Sequence, residues 1–160
     1  MAAQNIGAGR RDRARKTMHK GILLALPIGL VFCFIAFIAP QSIIGIFTNN
    51  QDVIHEGVEY IRFFSLDYII VAFLFCINGL LMGAGMTTFT MVNSILTSMV
   101  LRIPVAYLLG MVFNMGLTGI GLAAPVASIG GLIISFCFYK SGKWTKKEMV
   151  QEPILLDDMA

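Results

Sequence analysis

Apolar residues run through this chain in four long blocks rather than in alternation. Residues 21–39, 61–82, 89–112 and 117–139 are each predominantly apolar. At about 1.5 Å per residue, a helix over any of them is long enough to cross a hydrocarbon layer about 30 Å thick. The pattern predicts an all-α membrane protein. Its parts are a basic segment over residues 1–20, four transmembrane helices within 21–139, and a tail over 140–160. Pro27 either kinks the first helix or marks a late start, and Pro104 and Pro125 mark bends in the third and fourth. Between the first two blocks, Gln51 to Tyr60 forms a short surface helix with Asn49 or Asn50 as its cap.

Composition agrees with the blocks. The 160 residues are 57% hydrophobic and 13% charged, whereas soluble domains have about 45–50% and about 25%. Mean hydropathy is +0.79. A soluble chain of this length has too small a core to bury several apolar runs of about 20 residues. The net charge of +3 matters less than its placement. Arg10, Arg11, Arg13, Arg15, Lys16 and Lys20 precede the first block, and Lys140, Lys143, Lys146 and Lys147 follow the last. Residues 40–59 hold no Lys or Arg but carry Asp52, Glu56 and Glu59. Basic flanks stay on the cytoplasmic side, so both termini are expected there and four spans close the count. The same rule accounts for the basic cluster more simply than nucleic-acid binding does. Tyr139 and Trp144 suit the membrane interface.

The chemistry-bearing residues are few. Cys33, Cys76 and Cys137 lie far apart inside apolar blocks, with no Cys-x-x-Cys and no histidine pair. They read as buried thiols, and no metal site, cofactor or enzymatic motif is expected. The second block stands out because it keeps a carboxylate, Asp67, and an amide, Asn78. A carboxylate in a span costs about 2.5–3.5 kcal/mol on insertion scales. On a continuous helix Tyr60, Asp67, Val71, Leu74 and Asn78 share a narrow sector, giving one polar seam that must face protein or water. In the third block Ser94, Ser98, Arg102 and Ala106 share another face. Asp67 and Arg102 sit at similar depths. Either they form a structural ion pair, or Asp67 holds a cation or exchanges a proton. Tyr60, Asn78 and Ser65 act as ligands or as packing. Gly79 and Gly83, and the stripe Ala123, Ala127 and Gly131, suit close helix contact.

Four segments in order resemble the multidrug and toxic compound extrusion (MATE) family. Residues Ala3 to Gly9, followed by Arg13-Ala14-Arg15, resemble the segment after that family's eighth helix. Leu81 to Thr87 is similar to its turn between the tenth and eleventh helices, with Met82 and Met86 where Arg and Asp are usual. Leu101 to Leu108 is similar to its eleventh helix, and Gly116 to Pro125 to the start of its twelfth. Ser65-Leu66-Asp67-Tyr68 further resembles the branch found in Gram-positive bacteria and their relatives. The resemblance implies four helices of a six-helix lobe in a twelve-helix fold. It also implies export of organic, often cationic, drugs coupled to Na+ or H+. In some members a tenth-helix carboxylate binds the coupling cation; it aligns about one turn from Asp67, near Val71. The family's drug pathway lies between two lobes. On this reading the chain is a C-terminal fragment that works with eight further helices and is inactive alone. A small transporter that self-associates and a non-transporting assembly subunit are the alternatives. In each case the partner is the lipid bilayer.

Overall fold

The computed structural model describes residues 1–145. Lys146, Lys147 and the polar end from Glu148 to Ala160 lie outside the described residues. Among the described residues there are helices and turns and no strand. The helices are α1 (Ala2–Gly7), α2 (Arg11–Ile38), α3 (Pro40–Gly45), α4 (Gln51–Ser65), α5 (Asp67–Gly83), α6 (Thr87–Ile95), α7 (Arg102–Tyr107) and α8 (Gly116–Lys140). Four stretches are long and apolar enough to cross a membrane: Arg11–Ile38, Gln51–Gly83, Thr87–Val112 and Gly116–Lys140.

The first span starts earlier than its apolar block. Helix α2 begins at Arg11 and runs through Pro27 without interruption, so Pro27 does not mark its start. Residues 1–20 are packed rather than a loose flank. Ala14 and Met18 are buried with Ile77, Leu80, Leu81, Ala84 and Trp144, and Ala2 and Ile6 of α1 pack against them. Trp144, expected at the interface, is buried in this cluster, stacked on Tyr139 with its indole N–H donating to the Tyr139 carbonyl.

The second span differs most from expectation. Asn50 caps α4, its side chain accepting from the Asp52 amide at 3.0 Å. The helix then continues to Ser65, so Gln51 to Tyr60 is the first part of the span and not a separate surface helix. The span breaks at Leu66. In a regular helix the Leu66 amide would donate to the Arg62 carbonyl. The Ser65 hydroxyl takes that carbonyl instead, at 2.7 Å, and the Leu66 amide turns to Phe63 at 3.3 Å. A hydroxyl bonding back to its own helix bends it in this way. Asp67 is therefore the first residue of a new helix.

Between the second and third spans α5 ends at Gly83, and Gly85 just beyond it takes a φ of +75°, which suits a residue without a Cβ. The Met86 amide reaches the Leu81 carbonyl and the Gly85 amide reaches Met82, so the last carbonyls of α5 are satisfied. The third span is not a uniform α-helix: π-helical turns over Leu96–Leu101 and Leu108–Val112 flank α7. Pro104 explains the first, because it has no amide to donate and its ring crowds the Val100 carbonyl one turn below. Pro125, buried in α8, leaves that helix unbroken.

Burial separates the spans into two pairs. Within the most apolar stretch of the first and third spans only 6% of residues are buried, against 39% and 44% for the second and fourth. The second and fourth form the centre. Gly121 approaches so closely that a Cβ there would stand 2.8 Å from the Tyr60 carbonyl oxygen. The stripe Ala123, Ala127 and Gly131 is buried, Gly131 lying against Thr97 of the third span. Gly79 has open space around it, and Gly83 meets α1 rather than another span.

Candidate cation site

Two polar clusters form along the second span, and they are separate. The first joins three spans. The Ser135 hydroxyl donates to Asn78 Oδ1 at 2.7 Å, and Asn93 Nδ2 donates to Ser135 Oγ at 2.8 Å and to the Gly131 carbonyl at 3.2 Å. All three side chains are buried. Asn78 is thus tied to α8 through the Ser135 hydroxyl. Asn93 Oδ1 is buried without a partner among the described residues.

The second cluster surrounds the helix break, eleven residues or about 16 Å from Asn78 along the axis. Asp67 is 7% exposed, and its Oδ1 has no hydrogen-bond partner among the described residues. On one side the first span closes in, since a Cβ on Gly29 would stand 2.9 Å from the Tyr68 carbonyl oxygen. On the other side lies α8. Its contacts at Tyr60–Gly121 and Asn78–Ser135 have sequence offsets of 61 and 57, which put Asp67 level with residues 124–128. Ala124, Pro125, Ala127 and Ser128 there are all buried.

Arg102 does not pair with Asp67. Among the described residues its guanidinium instead stands 5.5 Å over the Phe64 ring. The reason is the face it occupies: Ser94, Ser98 and Arg102 are exposed on the outside of the four-span unit. Phe64 is stacked on Tyr60 at 5.6 Å and meets Tyr68 edge-on at 6.1 Å, and Tyr68 approaches Phe32 at 6.4 Å. Tyr60 is thus a ring partner of Phe64. A cleft of about 430 Å³ opens beside these rings, lined by Ala25, Ile28, Gly29, Phe32, Tyr68, Val71 and Ala72. Ser65 is fully buried, its oxygen 3.7 Å from Cys33 Sγ. The seam Tyr60, Asp67, Val71, Leu74 and Asn78 keeps all five side chains off the exposed surface, but it divides into an aromatic patch, an isolated carboxylate and an amide lock.

Sequence reasoning missed Ser135, which sits between Ile134 and Phe136 in an apolar block, and the break at Leu66, where neither Gly nor Pro gives a signal. No group of three or more His, Cys, Asp or Glu among the described residues gathers to hold a metal ion.

Comparison with known proteins agrees with this architecture. The chain is 27% identical over 146 residues to the probable multidrug resistance protein NorM of Thermotoga maritima, covering 90% of this chain and 31% of that protein. It is 25% identical to the probable multidrug resistance protein YpnP of Bacillus subtilis, covering 95% and 34%. It is 22% identical to multidrug and toxin extrusion protein 1 of Oryctolagus cuniculus, covering 88% and 25%. The chain spans about a third of the length of the first two relatives. No solved structure matches. The MatE family profile matches residues 1–108, and the chain belongs to the MatE family, one of membrane transporters rather than enzymes.

Proposed function

We propose that this chain is the C-terminal portion of a multidrug efflux antiporter, with Asp67 as the group that takes the coupling cation, Na+ or H+. The observation that carries the reading is the isolation of Asp67. A carboxylate in a span is expensive unless a partner compensates it, and among the described residues no guanidinium or hydroxyl does so. A proton or a monovalent cation is the compensation left. The break at Leu66 supports this, because interrupted helices are where transporters place exchangeable ions. The rings of Phe64, Tyr60 and Tyr68 beside it suit organic cations by the same ring-face attraction that holds Arg102.

The exposed first and third spans support association with eight further helices. An Arg102 face turned outward in a bilayer needs protein cover. The basic flanks support cytoplasmic termini and a plasma-membrane location. The test is ethidium efflux from cells that make the chain together with eight preceding helices of the family. Asp67→Asn abolishes efflux and leaves the amount of protein in the membrane unchanged. Efflux that survives Asp67→Asn overturns the assignment. Efflux from cells making the 160 residues alone would instead establish a self-associating transporter. An Asp67→Asn effect confined to protein level would establish an assembly subunit.

A further inference from the structure

The basic end of the four-span unit carries two adjoining features that the transport reading does not use. The first is an open groove of about 460 Å³ between α2, α5 and α8, lined mainly by apolar side chains that include Ile22, Phe73, Ile77, Leu132, Ile133 and Phe136. Met18 and His19 close its basic end. The second is a polar cleft of about 800 Å³ lined by Arg10, Arg11, Asp12, Arg13, Arg15, Gly9 and Thr145. Four arginines there face a single carboxylate, and no ion pair among the described residues neutralises them.

The two are continuous along one helix face. Arg15, Met18, His19 and Ile22 follow at spacings of three, four and seven residues, so the cleft passes into the groove on one side of α2. The rise from Arg15 to Ile22 is about 10 Å, comparable with the step from the headgroup layer to the hydrocarbon. A ring stack marks that level: Trp144 lies 5.7 Å from Tyr139, and the Arg15 guanidinium lies 5.5 Å over Trp144. Charge at one end, aromatic rings at the boundary and an apolar slot beyond them match the layout of one kind of ligand.

We propose that this face binds an anionic phospholipid, with its phosphate in the arginine cleft and an acyl chain in the groove. A free phosphate would need only the cleft, and a neutral lipid only the groove. The two together select a lipid that carries net negative charge.

The experiment is native mass spectrometry of the purified 160-residue chain, offered equal amounts of phosphatidylglycerol and phosphatidylcholine with identical acyl chains. The chain retains phosphatidylglycerol preferentially. Arg11→Gln with Arg13→Gln, which disturbs no ring contact, lowers the preference about fivefold per arginine, equivalent to roughly 1 kcal/mol each. Ile133→Trp fills the groove and reduces retention of both lipids, with helical content by circular dichroism unchanged. Equal retention of the two lipids overturns the proposal, as does a preference indifferent to the arginine pair. Displacement of phosphatidylglycerol by glycerol phosphate would assign the cleft to a free anion. Loss of lipid retention when eight further family helices are made with the chain would show the groove to be a helix seat. Either result would sink the lipid assignment.

Discussion

Ser135→Ala is the sharpest perturbation of the packing. The hydroxyl is fully buried and stands between two amides, accepting from Asn93 and donating to Asn78. Its removal leaves Asn78 Oδ1 without a donor and one Asn93 N–H without an acceptor, while Asn93 keeps the Gly131 carbonyl at 3.2 Å. Hydrogen bonds between membrane helices average about 0.6 kcal/mol and reach about 1.7. Two of them, lost from a site where both partners stay buried, amount to about 1–3 kcal/mol. The assay is reversible unfolding in mixed detergent micelles, followed by fluorescence. Trp144 is the chain's only tryptophan and is buried near the same end of α8, so it reports on this packing. The triple variant Asn78→Leu, Asn93→Leu and Ser135→Ala removes the polar atoms together and should be less destabilised than Ser135→Ala alone. A Ser135→Ala cost below about 0.3 kcal/mol, or a triple variant less stable than the single one, would refute the lock.

Further outcomes follow from the close contacts. Gly119→Ala places a Cβ 2.6 Å from the Leu109 backbone, which cannot swing aside, and should cost about 1–3 kcal/mol in the same unfolding assay. Gly79→Ala meets nothing within 4 Å and should be neutral or slightly stabilising. Ser65→Ala frees the Arg62 carbonyl, so the Leu66 amide should return to it and exchange its hydrogen more slowly; unchanged exchange would mean that the hydroxyl does not cause the break.

The four spans were legible because burial in lipid demands long apolar runs, and those runs survive any detail of packing. The turns between the second and third spans and between the third and fourth were legible as the gaps between apolar blocks, and the structure closes them with Gly85 and Gly116 at positive φ. The partners of each polar group were not. Asp67 and Arg102 share a depth, but depth does not fix the face, and Arg102 lies on the exposed side. Asn78 found its partner in Ser135, an ordinary residue in an apolar block, because helix register and not composition brought them together. The break at Leu66 came from one serine hydroxyl competing for one carbonyl, a choice that α-helical serines elsewhere in the chain do not all make.

The central claim is that Asp67 holds the coupling cation, and cation uptake by the purified chain tests it most directly. Radioactive sodium binding and proton release should be followed side by side in detergent, for the native chain and for Asp67→Asn. The account predicts either one bound sodium or one exchangeable proton per chain, lost in Asp67→Asn and kept in Arg102→Gln. Uptake that Asp67→Asn leaves intact, or that disappears with Arg102→Gln, would contradict it.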